Sequence, residues 1–470
     1  MGHYFPKKNF LSLTLSFGCD ILQKELLKAL KDGFKMEKTN EENRDIYKSS
    51  RLCYILEAAF EYFVAIMVGT TYLAKLTTSI GISDGVTGIL SSIISLGCGF
   101  QIFALFLSGK ARRKKFITWM VLLNEVLFMT LYVVPIVDLS KNAKTLIFVF
   151  VLVIANVIMN LVRAPKTAWM MALVDDSARG TFTAKKEMVS LMSGMVLMLV
   201  LGRIFDTFEE NGNLRGAFIT AGIMIAAFIV IHAILLILIK EKDEEVEHDV
   251  SVKEQLKYSI TDKNILALLP LFVLWNIANY ITLPFYGTYQ LNDLKFSMTF
   301  IGVLSIIYST VRSLVSPIFG KIGDKFSFVT MLEIAFGIKI FSFAFNMFAG
   351  KAFYTVYYVL TAIAMAGING GMMNIIYDYT PHTRRMGSLA VCNTVAGLTG
   401  FFATLAAKPL VDYIQSKGNS FWIFDSIFAQ QVLSCIAAVL LIVVILYLQF
   451  VVKKLYRPDE HLTTDNEHPM

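Results

Sequence analysis

The chain has 470 residues, 56% of them hydrophobic and only 17% charged, with a mean hydropathy of +0.60. A soluble chain carries about 25% charged residues, whereas here the apolar residues come in runs of about twenty or more, which is typical of transmembrane helices. The basic residues behind the net charge of +7 lie in short loops between these runs, which excludes the basic face of a nucleic-acid-binding domain. The five cysteines are scattered without a Cys-x-x-Cys pair, so neither a disulfide framework nor a metal site is predicted.

Residues 1–51 precede the apolar runs and contain ten lysines and arginines. An apolar stretch near the start imitates a signal peptide, but it is only nine residues long, and its export would place a basic segment outside the cell. Ile21, Leu26 and Leu30 follow helical spacing with lysines between them, which predicts an amphipathic helix on the inner membrane surface. A partly ordered tail is the alternative.

Twelve apolar stretches follow, each close to the roughly 20 residues that a helix needs to cross a hydrocarbon core about 30 Å thick. Only helices satisfy their own backbone hydrogen bonds in lipid at this length, so the sequence predicts an all-α integral membrane protein with twelve transmembrane helices in two pseudo-symmetric six-helix bundles. The predicted spans are 52–75, 85–107, 116–137, 145–165, 187–206, 216–239, 264–286, 297–319, 327–348, 352–376, 387–410 and 427–451.

The distribution of basic residues between the loops predicts the orientation. With both termini inside, the internal segments hold 32 of the 43 lysines and arginines, and the external loops hold seven. Because basic residues concentrate on the cytoplasmic side, the sequence predicts a multi-pass protein of the cytoplasmic (inner) membrane with both termini in the cytoplasm.

A polar segment after the sixth span divides the chain into two halves that repeat each other. Gly109 and Gly320 open similar basic turns 211 positions apart, and Arg179 superposes on Arg385 at a shift of 206. Two six-helix halves related by duplication are typical of a transporter with a site near the membrane midplane. The predicted parts are a cytoplasmic extension (1–51), the N-terminal bundle (52–239), a cytoplasmic linker (240–263), the C-terminal bundle (264–452) and a cytoplasmic tail (453–470).

The chain resembles the major facilitator superfamily over about residues 50–455. The resemblance rests on the twelve spans, the cytoplasmic termini, the linker after span six and the basic turns after spans two and eight. The family's signature turn reads Gly-x-x-x-Asp-(Arg/Lys)-x-Gly-(Arg/Lys)-(Arg/Lys). Gly320, Asp324 and Lys325 match it without the later glycine and basic pair, whereas the first copy keeps Gly109 and has Arg113 in place of the acid.

The resemblance implies that the acid of this turn holds the N-terminal end of a helix in the opposite half and closes the inner face. A carboxylate at a helix N-terminus is stabilised by roughly 0.3–1 kcal/mol or more. By pseudo-symmetry, Asp324 is expected to face Lys185 and Lys186 at the start of span five. We hypothesise that a reversed pair, Arg113 with Asp378, replaces the acid missing from the first turn. The alternative is that Arg113 is only one more cytoplasmic charge.

A charged residue inside a span costs about 2.5–3.5 kcal/mol on insertion into the membrane. Each such residue is therefore expected to have a structural or functional role that offsets this cost. Glu57 and Glu61 lie one helical turn apart on span one, and Glu61 lies near the midplane. A desolvated carboxyl group is suited to carry a proton; a permanent pair with a neighbouring helix is the alternative. Glu57 is the weaker candidate because it lies nearer the inner headgroups.

Three other ionisable residues lie within predicted spans. Glu125 on span three and Lys339 on span nine are at mid-depth. The resemblance places those two spans outside the cavity walls, so a structural link is favoured for both residues. His232 stands alone on span six and is assigned to packing or to an interface.

Arg312 lies on a polar stripe of span eight, one helical turn from Tyr308. Such a stripe on a cavity-lining helix suits an anionic or hydroxyl-rich solute. A salt bridge from Arg312 to Glu61 or to another acid is the alternative.

Asparagines and aromatic residues supply the remaining candidates for the substrate pathway. Pro284 is expected to kink or break span seven close to them, as in the site helices of transporters. Amides bond hydroxyl groups and rings cover apolar faces, which favours a polar, uncharged solute such as a sugar; helix packing is the alternative. The candidates are Asn156 and Asn160 on span four, Trp275, Asn276, Asn279 and Tyr280 on span seven, and Asn369 and Asn374 on span ten.

The sequence contains no phosphate-binding loop, metal-ligand spacing or nucleophile elbow, so neither an enzyme nor a cofactor is predicted. We predict a monomeric secondary transporter that moves a small polar solute, with a sugar favoured, by alternating access. Proton coupling is favoured, and sodium is the other coupling ion considered. The alternatives are a transporter-like receptor or sensor and a drug or metabolite exporter of the same fold. The predicted partners are the solute and the lipid bilayer, with no nucleic acid.

Overall fold

The computed structural model describes residues 46–103, 114–174, 179–241, 252–381, 384–421 and 426–455. The chain divides into a first unit, Met1–Lys48, and a compact unit, Ser49–Met470. The predicted amphipathic helix of the extension and the turn that holds Gly109 and Arg113 lie outside the described residues.

Among the described residues, eleven helices are long and apolar enough to cross a membrane, and a bent pair at the start makes twelve. The predicted twelve-helix fold is therefore confirmed. We number the helices as spans 1–12: Lys48–Met67 with Thr70–Ser79, Asp84–Phe103, Lys114–Val133, Lys141–Met171, Lys185–Glu210, Leu214–Leu238, Lys263–Asp293, Met298–Lys325, Phe328–Asn346, Lys351–Tyr379, Gly387–Ser416 and Ala429–Lys454.

Small polar residues set the start of several spans, because a side-chain oxygen satisfies the free amides of a helix N-terminus. Ser83 caps span 2, Asp262 caps span 7 and Ser297 caps span 8, each by accepting from backbone amides two or three residues further on. Each cap stands directly before an apolar run and satisfies one or two of the free amides of that helix.

Span 4 is longer than predicted. The predicted span 145–165 ends at Pro165, and a proline in a helix interior removes a backbone hydrogen bond and crowds the preceding turn. The helix instead continues from Lys141 through Pro165 to Met171, as membrane helices do when their neighbours support the freed backbone groups. The continuation places Lys166 inside the span, although the sequence analysis had assigned this residue to a loop.

Spans 1 and 7 are interrupted at equivalent positions. Span 1 bends by 40° just after Met67, and span 7 leaves α-helical geometry after Tyr280 and passes through a 3₁₀ turn that contains Pro284. Gly69 in the first break and Pro284 in the second lie 215 positions apart, the same offset as the first residues of the two spans. Interrupted helices at matching places in two halves point to the transport site of such folds.

The two halves pack through span 2 against span 11, span 5 against span 8 and span 1 against span 7. We call the membrane face where span 1 begins and span 12 ends the terminus face, and the other the opposite face. At the opposite face, Thr71 Oγ1 donates to Gln290 Oε1 at 3.0 Å, and the carboxylate of Asp84 accepts from the amides of Asn292 and Gln415, each at 2.7 Å. The structure is therefore closed at the opposite face.

Asp206 of span 5 holds the start of span 8, which belongs to the other half. Its two carboxylate oxygens accept from the backbone amides of Met298 and Thr299, both at 2.8 Å, and the side chain is buried. A carboxylate is favourable here because free amides and the positive end of the helix dipole meet at a helix N-terminus. This is the arrangement expected of Asp324, but it occurs at the opposite face and uses a residue that the sequence analysis missed.

At the terminus face, Asp324 and Lys325 of the gating turn are exposed. Within the described part of the chain, Asp324 forms no ion pair with Lys185 or Lys186 in this conformation. Its contact with span 5 stays a prediction for a state that is closed at the terminus face. Asp378 lies near the end of span 10, and its pairing with Arg113 stays a prediction because Arg113 lies outside the described residues.

Glycines allow spans 8, 9 and 10 to pack closely. A Cβ added to Gly367 would lie 2.7 Å from Ala335 Cβ and 2.7 Å from the Phe319 ring, and one added to Gly371 would lie 2.7 Å from Leu332. These two glycine positions are therefore explained by helix packing.

Replacing Gly367 with alanine is expected to destabilise the protein by about 1–3 kcal/mol, the usual cost of overpacking, because spans 8 and 9 have to give way. Thermal unfolding of the purified protein in detergent measures the change. The matched control is Gly337→Ala on span 9, where an added Cβ meets nothing within 4 Å and helix propensity improves. Equal unfolding temperatures for the two variants would contradict this account of the packing.

Replacing Asp206 with alanine is expected to weaken the closure at the opposite face, because it removes two hydrogen bonds of a charged group, worth about 1.5–3 kcal/mol each. Spin labels at Asn211 and Lys295 report the distance between the ends of spans 5 and 8. The variant should gain a population with a longer distance, whereas Glu210→Ala, at an exposed neighbouring position, should not. An unchanged distance distribution in Asp206→Ala would show that these bonds do not hold the halves together.

Candidate functional site

Five ionisable side chains from four spans of the N-terminal half form one cluster, which we call the N-half cluster. The side chains of its inner members are at most 8% exposed, whereas that of Glu61 is 45% exposed. The cluster therefore has a closed end and an open end. Its members are Glu57 and Glu61 on span 1, Glu125 on span 3, Lys166 on span 4 and His232 on span 6.

Lys166 joins the two carboxylates of span 1. Its Nζ lies 2.7 Å from Glu57 Oε2 and 2.9 Å from Glu61 Oε2. The two glutamates are four residues apart, so a helix presents them on one face, where a single ammonium reaches both. The pairing offsets part of the cost of burying these charges.

His232 lies between two buried carboxylates. Its Nδ1 is 2.7 Å from Glu125 Oε1, and its Nε2 is 3.0 Å from Glu57 Oε2. Each of these contacts needs a hydrogen, and a neutral imidazole carries only one N–H. The second hydrogen belongs either to an imidazolium or to a protonated carboxyl group. In both cases the site holds one proton more than a neutral histidine between two carboxylates.

The contacts form an unbroken order from the closed end to the open end: Glu125, His232, Glu57, Lys166 and Glu61. The second oxygens of Glu57 and Glu125 have no hydrogen-bond partner among the described residues, so either carboxylate has a free position for a proton. This geometry can hold a proton in the interior and exchange it through Glu61.

Part of this cluster is predictable from the sequence. Glu61 was a candidate proton carrier, with a pair to a neighbouring helix as the alternative, and the structure pairs it with Lys166. His232 was assigned to packing or to an interface; both of its ring nitrogens contact carboxylates, which lie 107 and 175 residues away in the chain. The signal in the sequence was the insertion cost of several ionisable residues within the spans of one half.

The asparagines of span 4 lie against span 2. Asn156 and Asn160 are buried, and Asn160 Oδ1 accepts from Gln101 Nε2 at 3.1 Å. A Cβ added to Gly97 would lie 2.7 Å from Asn160 Nδ2. These contacts explain both asparagines by packing between two helices.

The candidates of span 7 face several neighbours. The Trp275 ring is buried and packs against that of Phe336, with centroids 5.3 Å apart. Asn276 and Asn279 are half-buried, and the side-chain amide of Asn276 donates to its own helix. The ring of Tyr280 lies at span 11, where a Cβ added to Gly400 would approach it to 2.8 Å.

The other candidates lie on spans 8, 9 and 10. Asn369 is exposed and Asn374 half-buried. The ring of Tyr308 packs against that of Tyr358, with centroids 5.3 Å apart. Lys339 is buried, and its Nζ donates to Thr361 Oγ1 at 3.1 Å, which is a structural link of the kind that was favoured for it. In the part of the chain that is described, no group of three or more His, Cys, Asp or Glu residues is placed to hold a metal ion.

Replacing Lys166 with methionine leaves two carboxylates without their cation and is expected to destabilise the protein by about 3–5 kcal/mol. The double variant with Glu57→Gln should recover part of this loss, because one of the unpaired charges is then absent. Thermal unfolding of the four proteins of this cycle in detergent measures the coupling.

Lys75→Met is the control for this cycle, since it breaks a pair with the half-exposed Glu209 and should cost about 0–1 kcal/mol. Strictly additive losses for Lys166→Met and Glu57→Gln would contradict the coupling.

The fold is shared with solved transporters. The chain superposes on a mutant of the nucleoside transporter NupG with a TM-score of 0.67 at 11% identity, covering 85% of this chain and 99% of that one. A bacterial homologue of the human lysosomal transporter Spinster, in an inward-facing and unoccupied conformation, gives 0.65 at 13% identity, with 88% and 100% covered. A D-xylose–proton symporter gives 0.59 at 15% identity, with 84% and 96% covered.

No curated protein matches the chain by sequence. The model of the Major Facilitator Superfamily matches residues 52–352 and 268–466, which together include nearly all the spans. These matches indicate a transporter and not an enzyme. The chain belongs to the Major Facilitator Superfamily.

Proposed function

We propose that this protein is a proton-coupled secondary transporter of the cytoplasmic membrane, which moves a small polar solute by alternating access. The N-half cluster binds and releases the coupling proton, and Glu61 is the residue through which that proton enters and leaves. The solute binds between the halves, at residues of spans 7, 8 and 10.

The observation that carries the proposal is the position of His232 between Glu57 and Glu125, with oxygen contacts at both ring nitrogens. A site that needs one extra proton for its own hydrogen bonds changes its contacts when that proton leaves. The two glutamates and His232 belong to three different spans, so the loss of the proton acts on the packing of the whole half. A local protonation is thereby linked to a movement of helices.

The charge of the loops supports the orientation. The terminus face carries most of the lysines and arginines outside the spans, and basic residues concentrate on the cytoplasmic side of a membrane. With the terminus face in the cytoplasm, the closure by Asp84 and Asp206 is on the outer side, and the described conformation is closed to the outside.

The test uses proteoliposomes that contain a trapped pH-sensitive dye. A panel of pentoses, hexoses, sugar acids and nucleosides is added outside, because two of the structural relatives are a nucleoside transporter and a xylose–proton symporter. The wild type should acidify the lumen with at least one solute. Glu61→Gln should reduce the rate of proton movement by about 10²-fold or more, a loss in the range for removal of a proton-transfer group. Exchange of labelled solute across the membrane should continue in this variant.

Glu209→Gln, on the exposed pair with Lys75, is the matched control and should behave as wild type. Proton-driven accumulation that persists in Glu61→Gln would refute the role of Glu61. Solute binding without accumulation under an imposed proton gradient would instead favour a receptor or sensor.

A further inference from the structure

Arg312 lies on the inward face of span 8. Successive residues of a helix are rotated by about 100°, which places Arg312 on the same side as Ile301 and Phe319, both 3% exposed. Leu314 and Ile318 on the other side are 71% and 57% exposed. The half-buried guanidinium therefore points into the protein and not toward lipid.

The surroundings of Arg312 contain hydroxyl groups from both halves. The hydroxyl of Tyr308 is hydrogen-bonded to the guanidinium, and the positive charge of Arg312 also acts on Tyr62 of span 1, in the other half. Arg312 forms no ion pair with any described residue. The salt bridge to Glu61 that the sequence analysis weighed is not formed, because Glu61 is paired with Lys166.

Lys339, the other basic residue at mid-depth in the C-terminal half, also lacks a carboxylate partner in the described part of the chain. Besides its bond to Thr361, the Nζ of Lys339 faces the rings of Phe343 and Tyr357 at 4.4 and 5.0 Å from their centroids. Among the described residues, no carboxylate pairs with it. The acidic residues of spans 7–12 lie near the span ends; they are Asp293, Asp324, Glu333, Asp378 and Asp412.

The two halves thus differ in their ionisable residues at mid-depth. Glu125 and Lys339 are each the twelfth residue of their helices, spans 3 and 9, so equivalent positions carry an acidic and a basic side chain. The N-terminal half holds three carboxylates with Lys166 and His232, whereas the middle of the C-terminal half holds two basic side chains, of which Arg312 is always charged, and no acid. A half-buried guanidinium without a counter-charge attracts an anion strongly in a medium of low dielectric constant.

We propose that the solute carries a carboxylate, which binds Arg312 between the hydroxyls of Tyr308 and Tyr62. A planar guanidinium binds a carboxylate through two parallel hydrogen bonds, and a single cation at the site matches a single negative charge. Because the two tyrosines come from different halves, the bound carboxylate contacts both halves of the protein. This inference rests on the proposed function and names its substrate class. The proposed substrate class, a carboxylic acid, replaces the uncharged solute such as a sugar that the asparagines favoured.

The first experiment measures the potential at the site without any substrate or proton gradient. In a background free of cysteine, Ser309→Cys places a thiol one turn from Arg312, and its reaction rates with a sulfonate-bearing and a trimethylammonium-bearing methanethiosulfonate are compared. The ratio of the anionic to the cationic rate should fall by about tenfold in Arg312→Gln, from the loss of one nearby charge. Arg203→Gln, at an exposed arginine of span 5, is the control and should leave the ratio unchanged.

The second experiment measures thermal unfolding with matched pairs of a carboxylic acid and the corresponding alcohol, such as gluconate with sorbitol and lactate with propane-1,2-diol. Stabilisation should be confined to acids and be lost in Arg312→Gln. A rate ratio that Arg312→Gln does not change, stabilisation by an uncharged member, or the absence of any stabilising acid would each overturn the proposal. Neither readout depends on Glu61, so a failure here is distinct from a failure of proton coupling.

Discussion

A charged side chain in the interior of a membrane protein is costly unless it is paired, and the contacts of His232 with two carboxylates offset this cost in the N-terminal half. Glu57, Glu125 and His232 are almost fully buried, so the number of protons at the site decides which contacts between them exist. Lys166 completes the arrangement by holding Glu57 and Glu61 together. Four spans are thereby fixed relative to one another by ion pairs in addition to apolar packing, and the same ion pairs are sensitive to a single proton.

Span 1 connects this cluster to the closure between the halves. Its first segment carries Glu57 and Glu61, and its second segment, beyond the break at Gly69, carries Thr71, which bonds Gln290 of span 7. At the same place, an added Cβ on Gly287 would lie 2.4 Å from the carbonyl oxygen of Thr70, so the two interrupted spans touch through their backbones. The two segments of span 1 thus connect the cluster to the contact with the other half through a short helix and a bend.

Most of the fold could be predicted from the sequence, because a bilayer requires long apolar helices and the loops carry the charges that orient them. The site could be predicted only in part. Lys166 was not predicted to lie within a span, because the continuation of a helix through Pro165 depends on the neighbouring helices. The partners of His232 are separated from it by more than a hundred residues, and no local spacing encodes such a contact. Asp206 was missed for a similar reason, because its partners are backbone amides, which every sequence has.

The acid Glu125 and the base Lys339 occupy the twelfth position of equivalent helices, with a consequence for any exchange between the halves. Glu125 contacts His232 of its own half, whereas Lys339 pairs with no carboxylate among the described residues. A second copy of the N-terminal half would therefore place three carboxylates where the C-terminal half has a guanidinium and an amine. The halves share a backbone plan, yet their interiors are not interchangeable.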